Sequence, residues 1–386
     1  MTPGARVAAA IAVLDQINDG SAAEQALTAW ARGSRYAGSK DRAAVRDHVF
    51  DVLRARRSLG DGDGRGLMQR LSLREGWQID ALFSGEGHAP APLSEAELAA
   101  LSKNLDLTPA ARCDLPEWLW LRWQESLGTD AEAAATAQQG RADVFLRVNR
   151  RRGTVDHAAK QLAQDGVTTV PHPTVSGCLR VTENPRRVKT SSAYQDGLVE
   201  LQDAASQFAI GVVPVADGAR VLDYCAGGGG KALGFADIRN AEIIAHDIDP
   251  RRMRDLPARA ERAGVQIATL DTAALAEHAP YDVVFCDAPC SGAGTWRRTP
   301  DAKWRLTAER LAALMQLQDE VLAGAAPLVK NGGVLAYATC SVLNGENTGA
   351  IERFLAKNPE WMKVEQHQLL PDADGDGFFL SLLTHR

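Results

Sequence analysis

Two cysteines stand where chemistry is expected. Residues 285–292 read F-C-D-A-P-C-S-G, so an apolar run, Tyr281 to Phe285, meets an acid, a proline and a cysteine. A second apolar run, Gly333 to Ala338, ends in Thr339-Cys340-Ser341. Free cysteine often serves as a small packing residue, and Cys286 is read that way. Cys290 and Cys340 lie at strand ends instead, which favours catalysis. A thiolate that adds to carbon 6 of a pyrimidine pushes electron density onto carbon 5, which is otherwise a poor nucleophile. Carbon 5 can then attack a sulfonium methyl, and loss of its proton with expulsion of the thiol completes the transfer. A carboxylate at Asp287 could hold N3 and the exocyclic amine of a cytosine. The thiol needs a depressed pKa, for which Lys231 or a cationic cofactor would serve. One cysteine suffices for addition; the other could help release the product.

A cofactor site is expected at the end of an earlier strand, V-L-D-Y-C-A-G-G-G-G-K at 221–231. In an open α/β sheet, ligands bind beyond the carboxyl ends of the strands, near the switch in strand order. Glycines there let backbone approach a ligand closely. Asp247 ends the next strand, where an acid commonly accepts from a ribose. Asp271 ends the third and could meet an adenine amino group. A dinucleotide site is one reading, since Gly227, Gly229 and Ala232 fit G-x-G-x-x-A, but the motif alone is weak. A P-loop fails, because Cys225 stands at its first glycine and Ala232 at its Ser/Thr. S-adenosylmethionine is the third reading, with Asp223 suited to its cationic end.

The elements that must position these residues fall into three stretches. Residues 1–125 read as helices, with Val7, Ala10, Ile11, Val13, Leu14 and Ile17 on one apolar face. After Ser39, Val45, Val49, Val52 and Leu53 point inward; 61–66 is a turn, and E-W-L-W-L-R-W is a further helix. Residues 126–205 read as a small α/β linker domain, with V-F-L-R-V-N, V-T-T-V and C-L-R-V as strands and a helix closed by Gly166. Residues 206–386 alternate strands and helices, predicting a parallel sheet covered on both faces. Strands are expected at 220–223, 242–247, 265–270, 281–285 and 333–338, with a last one at 377–383 antiparallel at the edge. In the usual order of such a sheet, the fourth and fifth strands are neighbours, bringing Cys290 and Cys340 to one cleft.

Net charge is −6, from 43 basic against 49 acidic residues, so the chain as a whole is not a polycation. The charge is uneven: 32–57 holds eight Lys/Arg against three Asp, 141–152 five Arg against one Asp, and 297–310 five Lys/Arg against two acids. Such stretches can follow a phosphate backbone, or be solvated helix faces. No apolar run reaches the roughly 18 residues that span a bilayer. Asp15 interrupts the apolar N-terminus, which reads as a first helix, not an export signal. Six cysteines in a chain this long, with no export signal read, then suggest a reduced, cytoplasmic setting. No C-x-x-C pair or zinc-like His spacing occurs, so no metal is expected.

The motifs together resemble the RNA cytosine-C5 methyltransferases of the Sun/Nop family, most closely the bacterial type that acts on ribosomal RNA. They are D-Y-C-A-G-G-G-G-K, A-H-D-I-D-P-R-R, D-A-P-C-S-G-A-G-T-W-R-R-T-P-D-A-K-W-R, Y-A-T-C-S-V-L-N-G-E-N, Q-D-A-A-S-Q and D-G-F-F, covering about 115–386. The resemblance implies a class I (Rossmann-like) methyltransferase domain over 206–386, an RRM-like linker domain and an all-α N-terminal domain like the RNA-binding antitermination factor NusB. It assigns the nucleophile to Cys340, product release to Cys290, cytosine contact to Asp287, and a place near substrate and methionine to Lys231. S-adenosylmethionine would lie on Asp223, the loop Cys225, Ala226, Gly227, Gly228, Gly229, Gly230 and Lys231, then Asp247, Arg252, Asp271 and Asp287. One departure is clear: the usual loop C-A-A-P-G-G-K-T is here C-A-G-G-G-G-K-A, which leaves it less pre-set.

The expected activity is S-adenosylmethionine-dependent methylation of a cytosine in RNA, 16S rRNA foremost, by a monomer that binds neither membrane nor metal. The target base must leave its stack, so a single-stranded or loop target is expected. Trp296 or Trp304 could stack on it; core packing is the alternative. Competing readings are the same chemistry on tRNA or 23S rRNA, an amino-group methyltransferase, a nicotinamide enzyme, and a non-catalytic RNA-binding assembly factor. Cys340 opposes the amino-group reading, because such enzymes need an aromatic rather than a cysteine.

Overall fold

The computed structural model describes residues 1–386, which divide into two compact units. The first is helical and comprises Met1–Gln124, Gly128–Arg141 and Trp296–Leu306. Its opening helix, Pro3–Asn18, starts where the Thr2 hydroxyl accepts from the Ala5 N–H at 3.2 Å and Pro3 presets the first turn. Val7, Ala10, Val13, Leu14 and Ile17 are buried, with Ile11 half-buried beside them. In Ser39–Arg54 the expected Val45, Val49, Val52 and Leu53 face the same core. The turn expected at 61–66 is shorter than thought. A helix, Gly64–Arg74, begins inside it, capped by Asp63.

The boundaries 1–125, 126–205 and 206–386 differ from these units, for two physical reasons. First, the segment 296–306 buries its aromatics among the helices. Trp296 is 1% exposed and stacks on Trp123, with centroids 5.9 Å apart. The Trp304 indole donates to the Leu53 carbonyl at 2.7 Å, and Arg54 to the Arg297 carbonyl at 2.8 Å. Both tryptophans therefore pack in the helical unit, and Trp296 has no free face for a base. Second, the small sheet is welded to the large one. Arg147 pairs with Asp237 at 2.7 Å, both buried, and the Asn149 amide donates to the Ala263 carbonyl at 2.8 Å.

The small sheet holds β1 (Val144–Val148), β2 (Thr168–Pro171), β3 (Cys178–Glu183) and β4 (Val199–Leu201), antiparallel in the order β2-β3-β1-β4. A helix, Val155–Gln164, follows β1, and Gly166 at φ +75° turns the chain into β2. β4 was not foreseen; three residues carry too little pattern.

The large sheet holds β5 (Arg220–Asp223), β6 (Glu242–Ala245), β7 (Ala268–Thr269), β8 (Tyr281–Asp287), β9 (Val329–Thr339), β10 (Trp361–Leu369) and β11 (Phe378–His385). Their order is β10-β11-β9-β8-β5-β6-β7, with β5 to β9 parallel and β11 antiparallel to both its neighbours. The last strand is thus not at the edge as expected; β10 is. β7 is far shorter than 265–270. Adjacent residues alternate between faces, as the pleat requires. Val221 and Phe285 pack with the helices Ala204–Val212 and Gly230–Ile238. Leu222 and Val284 pack with Ala308–Ala325 and Thr348–Lys357. No helix is long and apolar enough to cross a membrane.

Candidate active site

β8 and β9 run parallel in register, Asp287 opposite Ala338, so the chain leaves both strands at the same level. The Ala288 N–H still donates to the Ala338 carbonyl at 2.8 Å, which holds the two exits together. Cys290 and Cys340 therefore meet, with sulfurs 3.4 Å apart. Both thiols are half-buried, whereas Cys286 is fully buried in the core. The pair is asymmetric. The Cys290 thiol donating to Cys340 lowers the Cys340 pKa, against burial and Asp287; Lys231 and the Thr295 hydroxyl assist. The same hydrogen bond, with burial, pushes Cys290 well up. A thiol with a lowered pKa beside one with a raised pKa suits nucleophilic addition followed by release.

Lys231 lies in the first turn of Gly230–Ile238 and pairs with Asp287, at the end of β8. Burial works against its charge, but the Asp287 carboxylate outweighs this and raises the Lys231 pKa. Its ammonium also sits 5.6 Å from the centre of the Phe378 ring. The glycine loop before it is committed to its course. Gly229 has φ +77°, and a Cβ there would stand 2.3 Å from Leu256 Cδ1. Alanine is excluded at that position on both counts.

The expected cofactor residues are not all equivalent. Asp247 is buried; its carboxylate accepts from the Gly227 N–H at 2.9 Å and pairs with Arg252 at 3.0 Å. The Ala226 N–H donates to the His246 carbonyl at 2.8 Å. Gly228 and Gly230 offer carbonyls to Arg259 and Arg147. Cys225 packs against the core, and burial pushes its thiol up. Asp271 is exposed and accepts from the Ala274 N–H at 3.0 Å. Asp223 differs from the rest. It is fully buried; one carboxylate oxygen accepts from the Ala232 N–H at 2.9 Å, and the other has no partner. Burial, then the charge of Asp287, pushes its pKa up to about 7.

Comparison with known proteins gives this arrangement its context. Residues 211–384 match the family model described as 16S rRNA methyltransferase RsmB/F, and 115–189 that of its ferredoxin-like domain. Ribosomal RNA small subunit methyltransferase B of Citrobacter koseri is 34% identical over 293 residues, 72% of this chain and 68% of that protein. The Salmonella arizonae protein of the same name is 33% identical over the same shares. The chain belongs to the RsmB/F methyltransferase family. Among solved structures, PH0851 is similar over 100% of this chain and 99% of its own, with TM-score 0.75 and 24% identity. NSun6 from Pyrococcus horikoshii with SFG covers 70% of this chain and 98% of its own, with TM-score 0.62 and 16% identity. Both likenesses concern the fold.

S-adenosylmethionine is the cofactor of this methyltransferase, and the residues present fit it. The unpartnered, buried oxygen of Asp223 suits an ammonium, since a buried carboxylate gains most from a cation. Ile248, next to Asp247, is 78% exposed, an apolar face available to a nucleobase. Sequence reasoning did not single out Ile248, which follows the acid of the second strand. It also missed His246, whose ring contacts the Tyr224 carbonyl at 2.7 Å and the Thr272 hydroxyl at 2.9 Å, tying β5 to the loop after β7.

Proposed function

We propose that this protein methylates carbon 5 of a cytosine in RNA through a covalent adduct between Cys340 and carbon 6 of the base. The observation that carries the reading is the 3.4 Å approach of two thiols with opposite pKa displacements. Cys340 is the nucleophile: its thiolate forms the bond to carbon 6 and makes carbon 5 nucleophilic. S-adenosylmethionine, when bound, supplies the electrophilic methyl group. After transfer, the carbon-5 proton leaves as a base accepts it, the bond from Cys340 to carbon 6 breaks, and the ring double bond returns. Cys290 assists that release. Asp287 accepts from the cytosine edge, and Lys231, paired with it, keeps it correctly turned. Asp223, Gly227 to Gly230, Asp247, Arg252 and Asp271 hold the cofactor, with Asp271 aimed by the turn it caps.

RNA of the small ribosomal particle is the proposed substrate, because the relatives matched over two thirds of their length carry that name. The helical unit, read as NusB-like, is the proposed distal RNA grip. Arg32, Arg35 and Trp30 line one groove there with Arg42 and Arg46. The altered glycine loop is compatible with cofactor binding, since Gly229 keeps the φ that the turn needs.

The test is methyl transfer from labelled S-adenosylmethionine to RNA from a strain lacking the gene, digested to nucleosides. Label is expected in 5-methylcytidine of 16S rRNA. Cys340→Ser abolishes it, and Cys290→Ser accumulates a denaturation-resistant protein–RNA adduct. Normal turnover by Cys340→Ser, or label in another nucleoside, sinks the mechanism.

A further inference from the structure

The residues following the two cysteines share one partner. Glu346 lies in the loop between β9 and the helix Thr348–Lys357, yet it is fully buried. Its Oε1 accepts from the Ser291 N–H at 2.8 Å and from the Gln318 amide at 3.0 Å. Its Oε2 accepts from the Ser291 and Ser341 hydroxyls, each at 2.5 Å. Four donors converge on two oxygens, the pattern of an ionised, acceptor-only carboxylate. No Lys or Arg pairs with it, so hydrogen bonds alone offset its desolvation.

Each serine is covalently next to a reactive cysteine, and the two loops otherwise leave separate strands. We propose that Glu346 is a positioning residue: by locking Ser291 and Ser341 it fixes the two thiols at contact distance, with Cys290 as hydrogen donor and Cys340 as acceptor. Gln318 braces the same tie by donating to the Pro289 carbonyl at 2.9 Å, one residue before Cys290. The Tyr337 hydroxyl holds the Glu346 backbone carbonyl at 2.7 Å.

The electrostatics run the same way. The Glu346 charge contributes to pushing Cys290 up and is not among the main influences on Cys340. A negative charge placed beside one thiol of a pair keeps that thiol protonated and leaves the other to ionise. The remaining titratable groups facing the pair are Asp287 and Lys231, which act on Cys340, and Tyr337, whose hydroxyl burial pushes well up. Arg353 is engaged with Asp319 at 2.9 Å and with the Gly345 carbonyl. The inference rests on the cysteine pair of the proposed reaction, but its test needs no RNA.

The experiment alkylates the whole protein with iodoacetamide between pH 6 and 9 and follows Cys290 and Cys340 separately by peptide mass spectrometry. The wild type is expected to react first at Cys340. Glu346→Gln keeps the shape and removes the charge. The preference for Cys340 over Cys290 at pH 7 should then fall about tenfold, the effect of one pKa unit on a thiolate population. S-adenosylhomocysteine binding, which does not pass through the tie, should be retained. Should Glu346→Gln lose that binding, Ser291→Ala and Ser341→Ala, each deleting one donor of the tie while keeping the charge, should lower the preference by loosening the pair. An unchanged preference in a variant that still binds S-adenosylhomocysteine overturns the proposal. Failure of RNA methylation with the alkylation result intact would count against the reaction and leave the tie standing.

Discussion

If Asp223 holds the cofactor's ammonium as proposed, cofactor affinity is expected to depend on pH. In the cofactor-free protein its carboxyl is pushed from 3.8 up to about 7, chiefly by burial and then by Asp287. Keeping it ionised above that pH costs about 4 kcal/mol, at about 1.36 kcal/mol per pKa unit. A docked ammonium on the unpartnered oxygen relieves that cost, so binding releases a proton wherever the free protein still holds one. The raised pKa sets the sign. Below pH 7 Asp223 is mostly neutral and binding must first ionise it; above pH 7 it is ready. Affinity therefore rises with pH, by about tenfold between pH 6 and 8 for a single linked group. The assay is calorimetric titration with S-adenosylhomocysteine, whose amino group stays charged across that window. Asp223→Asn should flatten the profile. It should weaken binding at pH 8 by about 10- to 100-fold, the worth of a charge-assisted hydrogen bond of roughly 1.5–3 kcal/mol. At pH 6, where the wild type has itself lost about tenfold, the gap between the two proteins should shrink by about that factor. A wild-type affinity that is flat from pH 6 to 8, or an Asn variant that keeps the slope, would refute the reasoning.

Two further perturbations test how each unit holds together. Arg147→Met strands the buried Asp237 without its cation and should lower stability by about 3–5 kcal/mol in urea titrations, with Arg147→Met/Asp237→Leu recovering most of the loss; a single-variant loss below about 1 kcal/mol contradicts this. Lys303 is 3% exposed, and burial lowers its pKa from 10.5 to about 8 despite Asp114. Its cost is then full below pH 8 and relieved as pH rises towards 10.5. This site alone should make the wild type about 1 kcal/mol more stable at pH 9 than at pH 7. Lys303→Met should lack that gain, and identical pH responses of the two proteins in urea titrations would exclude it.

Which parts of this molecule were legible in its sequence follows from the range of the interactions involved. β5, β6, β8 and β9 announce themselves because a strand buried on both faces must be a continuous apolar run, and the cysteines were legible because such strands order predictably. β10 was not. Its sequence, W-M-K-V-E-Q-H-Q-L, leaves Met362 and Val364 exposed at 43% and 62%, so no buried face marks it as a strand. The segment 296–306 misled for a related reason. It lies between the two cysteine motifs in the chain, but the burial of Trp296 against Trp123 is a tertiary fact with no local pattern.

The site divides in the same way. Asp287, Lys231 and both cysteines were legible because the proposed chemistry calls for their types; strand ends place Asp287 and the cysteines, and the glycine loop places Lys231. Glu346 falls inside the motif Y-A-T-C-S-V-L-N-G-E-N, but its role does not show there: an acid in a loop with Asn and Gly reads as a solvated residue, and only the fold reveals that four donors enclose it. A reactive pair needs two kinds of residue, those that react and those that fix who reacts first. The first kind is constrained by chemistry and survives in the sequence as a motif. The second is constrained by geometry across elements distant in the chain, which is why a buried carboxylate without a countercharge is the place to look for it.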